Sequence, residues 1–494
     1  MKTALIRPFA HYISKKIKKD SNNALKDQER IREYLVLKAK HTDFGKDHEF
    51  QHIHTYNDFK NRIPIHDYEG LKSYFDKVKK GKANVLWPHK PKYFAKTSGT
   101  TSGVKYIPIS NESVRNHIDS ARNALFYYIS HNEHSKIFDG KIIFLSGAPI
   151  LSVTGGVKTG RLSGIVNHEV PGWLRSNQLP SYDTNCIEDW EQKVDAIVEE
   201  THDQDMRLIS GIPPWVLMYF EKLIAKTGKK NIKEIFPNFS VFTYGGVNFE
   251  PYRESINEII GAEIDMIETY PASEGFIAFS AEQNHDGLLL NTNSGIFFEF
   301  VKSDTISKKE PERVDLSGVK MGVDYAIIIN SNAGLWGYNI GDLVRFVSLN
   351  PFKIIVSGRL KHYISAFGEH VIGKEVEQAI SDASKSLKIK VIDFTVAPQV
   401  NPKEGLPYHE WFIEFKNQSS DLSAFAKVLD LSVRAQNIYY EDLILGNILK
   451  PAVITPVQKN GFRTMMKSEG KLGGQNKVPR LSNNRDIVCN LGRL

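Results

Sequence analysis

The chain has 494 residues, 41% hydrophobic and 24% charged, which excludes a disordered tail or a single small domain and leaves material for two or more buried cores. Its two cysteines, Cys186 and Cys489, exclude a disulfide framework and a C-x-x-C pair, and point to a reduced, cytoplasmic setting. A formal net charge of +7 suits small polyanions, and no nucleic-acid motif accompanies it, so no nucleic-acid partner is expected.

The opening MKTALIRPFAHYISKKIKKD is basic, but Arg7, Pro8 and His11 interrupt its apolar character. An amphipathic helix is expected there, without a signal peptide and without membrane attachment. No later stretch has the apolar length needed to span a bilayer. Ala24–Lys40 carries Ile31, Tyr34, Leu35 and Leu37 among charges and predicts a second amphipathic helix. His41, His48, His52 and His54 follow, and no cysteine or tight acidic cluster completes a closed metal site around them. Tyr56–Gly81 reads as two short helices joined by Ile63-Pro64-Ile65. Further helices are expected at Glu112–Ile129, Trp190–Thr201 and Trp215–Thr227. Compact apolar runs at Lys141–Ser146, Met206–Ser210, Ser240–Tyr244, Ile264–Thr269, Phe276–Ser280 and Tyr325–Asn330 predict strands. This alternation predicts a layered α/β core with substantial parallel pairing. Gly155, Gly156, Gly160 and Gly164 suggest a loop-rich stretch ahead of Trp173 and Leu174, and Thr154–Gly164 with those two residues is the candidate small-molecule pocket.

Composition changes at Ser357-Gly358-Arg359. Beyond it a helix (Lys374–Leu387), two strands (Ile389–Ala397, Trp411–Lys416), a helix (Asp421–Asn437), Ala452–Val457 and a Gly-rich basic tail are expected. The division is therefore a large N-terminal domain over residues 1–357 and a small α+β domain over 358–494. No internal repeat is found.

Four stretches carry chemistry. Thr97–Lys105, TSGTTSGVK, packs hydroxyls and glycines ahead of one lysine, the composition of a phosphate cradle. It is not a Walker A loop, because Val104 separates Gly103 from Lys105, and a flexible Ser/Gly turn is the plainer account of it taken alone. Tyr270-Pro271-Ala272-Ser273-Glu274 follows an apolar strand, where a carboxylate can hold Mg²⁺ beside phosphates. Tyr338-Asn339-Ile340-Gly341-Asp342 reads as a tight glycine turn presenting an aspartate to ribose hydroxyls. Ser357-Gly358-Arg359 places a guanidinium at the domain border. Singly, Glu274 reads equally well as a solvated loop acid, Asp342 as a turn residue and Arg359 as a surface charge. Their shared order and position after strands favour one nucleotide site.

This ordered set resembles the adenylate-forming superfamily of acyl-CoA ligases, peptide-synthetase adenylation domains and luciferases. Within it the chain most resembles the Gretchen Hagen, auxin-responsive family of acyl-acid amido synthetases. Supporting detail comes from the Tyr56…Phe59…Ile63-Pro64…Tyr68…Tyr74 run, from Thr243–Gly246 (TYGG) and from Lys477-Val478-Pro479-Arg480. The resemblance implies a large domain binding ATP and acyl acid, a small mobile C-terminal domain, and a monomer. It implies that Ser98, Gly99, Thr100 and Thr101 hold ATP phosphates, and that Tyr244, Gly245 and Gly246 flank the adenine with Tyr270 and Ser273 nearby. Glu274 would bind Mg²⁺, Asp342 the ribose and Arg359 a phosphate or ribose oxygen. Lys477 matches the late lysine of adenylation, and Lys105 and Glu274 join it as catalytic candidates. Thr97 and Asn339 depart from the plant pattern, which has serine and arginine there. The implied reaction makes an acyl-adenylate and transfers the acyl group to an amine, with an amino acid as the expected donor of it. Two other readings stand beside it: a ligase passing the adenylate to coenzyme A or a carrier-protein thiol, and a nucleotide-binding scaffold without chemistry.

Overall fold

The computed structural model describes the chain except residues 1, 99–103, 188, 247–248, 284–286, 307, 309, 361–362, 365–370, 400–401, 403, 418–420, 446–448, 473–476, 483–484 and 492–494. It divides into two compact units, Met1–Val356 and Ser357–Leu494.

Local rules set the helices of the first unit. Lys2–Asn22 buries Ala10, Ile13 and Ile17 and packs on the helix Asn111–His131. Ser110 starts the latter helix, its Oγ accepting from Ser113 N at 2.9 Å. Ala24–Ala39 buries Ile31 and Leu35, whereas Leu37 is 70% exposed, because residues two apart on a helix face opposite ways. Thr55 and Asp58 cap Tyr56–Arg62 reciprocally, and Lys72–Lys79 is the second short helix of that segment. No helix among the described residues is long and apolar enough to cross a membrane.

A twelve-stranded mixed sheet organises the unit. Gln178–Leu179, Lys141–Phe144, Met206–Ser210, Val241–Gly245 and Asp265–Ala272 lie side by side in parallel. The sheet continues through Gly275–Phe279, Leu288–Leu290, Phe352–Arg359, Tyr338–Leu349, Asp324–Ser331, Ile296–Lys302 and Arg313–Asp315. Here antiparallel pairing enters, as at Ala272 with Gly275 and Ile296 with Ser331. Parallel pairing thus holds for five strands of this sheet, those joined by long helical crossovers, and the other pairs in it are antiparallel, several of them across short connections. The strand Ile296–Lys302 is buried on both faces, so its Glu299, fully buried, needs partners within the core. Arg313 Nε lies 3.1 Å from its Oε1, and Asn330 Nδ2 donates to its Oε2 at 2.9 Å.

A separate four-stranded sheet runs in the order Val104–Ile109, Tyr93–Ser98, Val157–Gly160, Ser152–Thr154. The stretch Thr154–Gly164 is therefore not a loop region. Gly155 and Gly156 make the only turn in it, Val157–Gly160 pairs with Tyr93–Ala95, and the helix Leu162–Glu169 follows.

In the second unit the helix Gly373–Leu387 buries Val376, Ala379, Ile380 and Ala383, one stripe at helical spacing, in a core with Phe394 and Trp411. Its sheet pairs Val391–Gln399 antiparallel to Tyr408–Phe415, and the latter parallel to Val453–Val457. The basic tail carries helical structure that its composition does not signal. It holds helices at Gly461–Ser468 and Asp486–Leu491, packed through Phe462, Met465, Met466, Val488 and Leu491.

Candidate active site

The phosphate-cradle stretch begins and ends in two paired strands. Tyr93–Ser98 pairs antiparallel with Val104–Ile109, placing Thr97 opposite Lys105 and Ser98 opposite Val104. Gly99, Thr100 and Thr101 lie outside the described residues, as does the side chain of Ser98. At the end of the stretch, Lys105 Nζ sits 5.8 Å from the centre of the Tyr68 ring. The Tyr68 hydroxyl accepts from the amide of Tyr106 at 3.0 Å, and burial pushes its pKa up.

The next motif sits partly inside a strand rather than after one. The strand Asp265–Ala272 includes Tyr270, and Ser273-Glu274 makes a two-residue turn into Gly275–Phe279. Ser273 is buried and Glu274 half-buried. The Tyr270 hydroxyl donates to Asp342 Oδ2 at 2.5 Å, so two motifs 72 residues apart in sequence meet through one buried bond.

Asp342 does not stand on an exposed turn. It lies within the strand Tyr338–Leu349, where Ala326 faces Leu343 and Ile328 faces Asn339, so Ile340, Gly341 and Asp342 together oppose Ile327. This bulge, with Gly341 at φ +86°, turns Asp342 inward to 4% exposure. A glycine ahead of an aspartate serves a bulge as readily as a turn.

Residues that sequence reading missed brace this strand. His66 N donates to Gly337 O at 2.8 Å, and Asn339 N to His66 O at 2.7 Å. Asn330 Oδ1 accepts from Gly337 N at 2.6 Å, while its amide nitrogen holds Glu299. Arg313, paired with Glu299, donates through Nη2 to Ile63 O at 2.6 Å. The Ile63-Pro64 run therefore acts as scaffold for Asp342. Tyr338, at the head of the strand, has its hydroxyl pKa raised by burial and next by the Glu274 charge, which puts Glu274 in electrostatic reach of the same strand.

Gly245 is required by close packing. A Cβ there would lie 2.2 Å from Thr269 O and 3.2 Å from Pro271 Cδ. Thr269 Oγ1 donates to Tyr244 O at 3.0 Å. The Tyr244 ring is buried and stacks on Phe249 at 4.4 Å, so it packs in the interior and leaves Gly245 and Gly246 as the approachable part of the motif.

In the second unit the side chain of Arg359 lies outside the described residues. Lys477 is exposed and leads into an anchored segment. Thr395 Oγ1 donates to Pro479 O at 2.7 Å, Val396 N to Arg480 O at 3.0 Å, and Ser482 N to Val396 O at 2.9 Å. Arg480 pairs with Asp393 and lies 4.6 Å from the centre of the Phe394 ring.

The expected small-molecule pocket falls on regular structure, and part of it lies outside the described residues. The Thr154–Gly164 segment is hairpin and helix, Leu174 packs against a core cluster containing Ile142 and Leu208, and the Trp173 side chain lies outside the described residues. Nearby, Lys193 is 1% exposed; its Nζ donates to Ser146 O at 2.9 Å and Asn185 O at 2.7 Å, and burial pulls its pKa down to about 8. Its one signal in sequence is a lysine sharing a helix face with Val194 and Ile197. His48 stacks on Phe44 at 4.0 Å and bonds Arg62 O through Nδ1 at 2.8 Å, and His52 sits in a separate turn. Among the described residues no group of three or more His, Cys, Asp or Glu side chains could hold a metal ion.

A mixed sheet carrying these motifs, with a separate small α+β unit, is the fold of the adenylate-forming ligases. The GH3.15 acyl acid amido synthetase superposes with a TM-score of 0.81 over 97% of this chain and 95% of that one, at 16% identity. A 2-hydroxyisobutyryl-CoA ligase in its postadenylation state gives 0.59 over 94% and 90%, at 12% identity. Models of the GH3 family N-terminal, central and C-terminal domains match residues 13–171 and 156–264, 289–359 and 374–486, respectively. The chain belongs to the GH3 family. A jasmonoyl–L-amino acid synthetase of Nicotiana attenuata is 22% identical over 436 residues, 74% of each chain. A 4-substituted benzoates-glutamate ligase of Arabidopsis thaliana is 26% identical over 207 residues, 37% of this chain and 35% of its own.

Proposed function

We propose that this chain condenses a small carboxylic acid with ATP to an acyl-adenylate, releases pyrophosphate, and passes the acyl group to the amine of an amino acid, leaving AMP. It is an ATP-dependent acyl-acid amido synthetase, a carbon–nitrogen ligase, as its family membership carries. The bond between Tyr270 and Asp342 supports the site reading best, because it joins two independently recognised nucleotide motifs at one buried point.

The chemistry sets the demands. A carboxylate must attack the α-phosphorus, so two anions approach one another, and donors already in place lower that barrier most. Lys105, with Ser98, Gly99, Thr100 and Thr101, takes the phosphates. Gly245 and Gly246 allow adenine to approach the backbone, Asp342 accepts from ribose hydroxyls, and Arg359 binds a phosphate or ribose oxygen. Lys477 neutralises charge developing at the α-phosphate. Glu274 is the motif carboxylate that would hold Mg²⁺, and the ion would neutralise phosphate charge there. The amine then attacks the activated carbonyl, its proton leaves, and the C–O bond to AMP breaks.

The test is pyrophosphate release with ATP and Mg²⁺ across a panel of carboxylic acids. Relatives named for jasmonate, indole-3-acetic acid and 4-substituted benzoates give the panel its first members. Each acid is run alone, with pooled amino acids and with coenzyme A. Release stimulated by amino acids, with an amide in the mass spectrum, supports the reading. Stimulation by coenzyme A alone, with a thioester product, overturns the amide step.

A further inference from the structure

One of the chain's runs of positive charge adjoins the candidate phosphate site, apart from the basic opening and the basic tail. Residues 72–105 hold nine lysines and a single acid, Asp76, a formal +8. This segment leads directly into the hairpin at the candidate phosphate site.

The fold gathers these lysines around that hairpin. Lys79 Nζ and Lys96 Nζ lie 5.3 and 5.9 Å from the centre of the Tyr106 ring, and Tyr106 is the cross-strand partner of Lys96. Lys105, next to Tyr106 on the other strand, lies over Tyr68. A Cβ on Gly155 would meet Lys79 O at 2.0 Å, and one on Gly81 would meet Gly155 O at 3.0 Å and Lys90 Nζ at 3.4 Å. The end of the helix Lys72–Lys79, the Lys90 turn and the small sheet carrying the hairpin are therefore immediate neighbours. Exposed Lys158 stands on that sheet as well.

Some of these charges are spoken for. Lys77 and Lys82 face Asp43, Lys79 faces Asp76 and Lys92 faces Glu169. Lysines in the last turn of a helix also complement its dipole. Lys80, at the C-terminal cap of the helix Lys72–Lys79, lies in reach of both its dipole and Asp76, whereas Lys90 and Lys96 have no carboxylate within ion-pair distance among the described residues.

We propose that Lys80, Lys90 and Lys96, with their paired neighbours, form an electrostatic collector that draws the triphosphate of ATP toward the hairpin. The inference rests on the nucleotide reading above and adds a rate to it. A single-sign patch beside a binding site raises the local concentration of an oppositely charged ligand and its association rate, and salt removes the effect over a Debye length of about 8 Å at physiological ionic strength. Lys80 and Lys90 act at a distance, so they set how fast ATP arrives, with little influence on turnover.

The test measures association of a fluorescent ATP analogue by stopped flow from about 20 to 300 mM salt. The double variant Lys80→Glu/Lys90→Glu is compared with Lys229→Glu/Lys230→Glu, which changes net charge equally at exposed positions ahead of the strand Val241–Gly245. At low salt the first variant should bind on the order of tenfold more slowly than the parent, converge with it at high salt, and keep kcat; the second should track the parent. Lys80→Gln/Lys90→Gln should fall between the two. Equal association rates and salt slopes in all variants overturn the collector while leaving the ATP site standing. Equal slowing by the two charge-reversal pairs replaces it with a net-charge effect. Failure of the parent to bind the analogue at all removes the nucleotide reading and the collector with it.

Discussion

Substituting alanine at Gly245 isolates one contact that joins packing to nucleotide binding. The added Cβ would lie 2.2 Å from Thr269 O and 2.8 Å from Thr269 Oγ1, and the first of these is backbone in the paired strand. Relief needs roughly 1 Å of movement, and overpacking of this kind costs about 1–3 kcal/mol. For a unit of 356 residues the entropy of unfolding is roughly 0.75 kcal/mol per degree, so the melting temperature should fall by about 1–4 °C. The movement falls on Thr269–Pro271, around the tyrosine that donates to Asp342. A hydrogen bond to a charged acceptor contributes about 1.5–3 kcal/mol, so its distortion should raise KM for ATP about tenfold. Gly156→Ala is the control: Gly156 has φ +79° with nothing within 4 Å of a Cβ, so it costs only the left-handed conformation, about 1–2 kcal/mol, and should leave KM unchanged. Calorimetry with pyrophosphate-release kinetics reads both effects. The reasoning fails if Gly245→Ala melts and binds ATP like the parent, or if Gly156→Ala raises KM as much.

Lys477→Ala should lower kcat for adenylation about 10²–10³-fold with ATP binding nearly unchanged, since its charge acts on the transition state; equal loss of affinity and rate would contradict that. Glu274→Gln should raise the Mg²⁺ concentration for half-maximal rate about tenfold, and an unshifted Mg²⁺ curve would remove Glu274 from metal binding. Burial alone pulls the His117 pKa down to about 4, so the folded protein keeps this ring neutral while the unfolded chain takes a proton near 6.5. Stability should therefore decline as pH falls from 6.5 to 4, by up to about 3 kcal/mol from this ring, and His117→Gln should flatten the slope of urea midpoints between pH 7 and 4.5; a variant as steep as the parent would refute the buried neutral ring. His66, also lowered to about 4 by burial and then by His48, adds a slope that the variant retains.

Elements whose own residues decide them were legible. Met206–Ser210 and Trp190–Thr201 lie where their apolar patterns place them, because each pattern matches one period over its whole length. Asp342 was legible as a residue and misplaced as a structure. Tyr-Asn-Ile-Gly-Asp satisfies a turn or a bulge, and only the partner strand Asp324–Ser331 decides between them. Phe462, Met465 and Met466 have helical spacing, but eight residues are too few for helix formation without the tertiary contacts that bury them.

The same distinction separates the site from its support. Hairpin glycines, Glu274 and Asp342 stand out because phosphate, metal and ribose chemistry restricts the residue types that will serve. Glu299, Arg313 and Asn330 look like ordinary polar residues until the sheet brings them together, and a buried carboxylate is tolerable only because both partners arrive with it. Their bonds end at Gly337 and Ile63, on either side of the bridge between His66 and Tyr338. The Tyr56…Tyr68 run, recognised from its pattern alone, thus contributes geometry. It holds the strand that presents Asp342, whose own bond to Tyr270 then ties that strand to the parallel half of the sheet. What chemistry constrains could be read one residue at a time; what positions that chemistry is a property of pairs, and the pairs exist only in the folded chain.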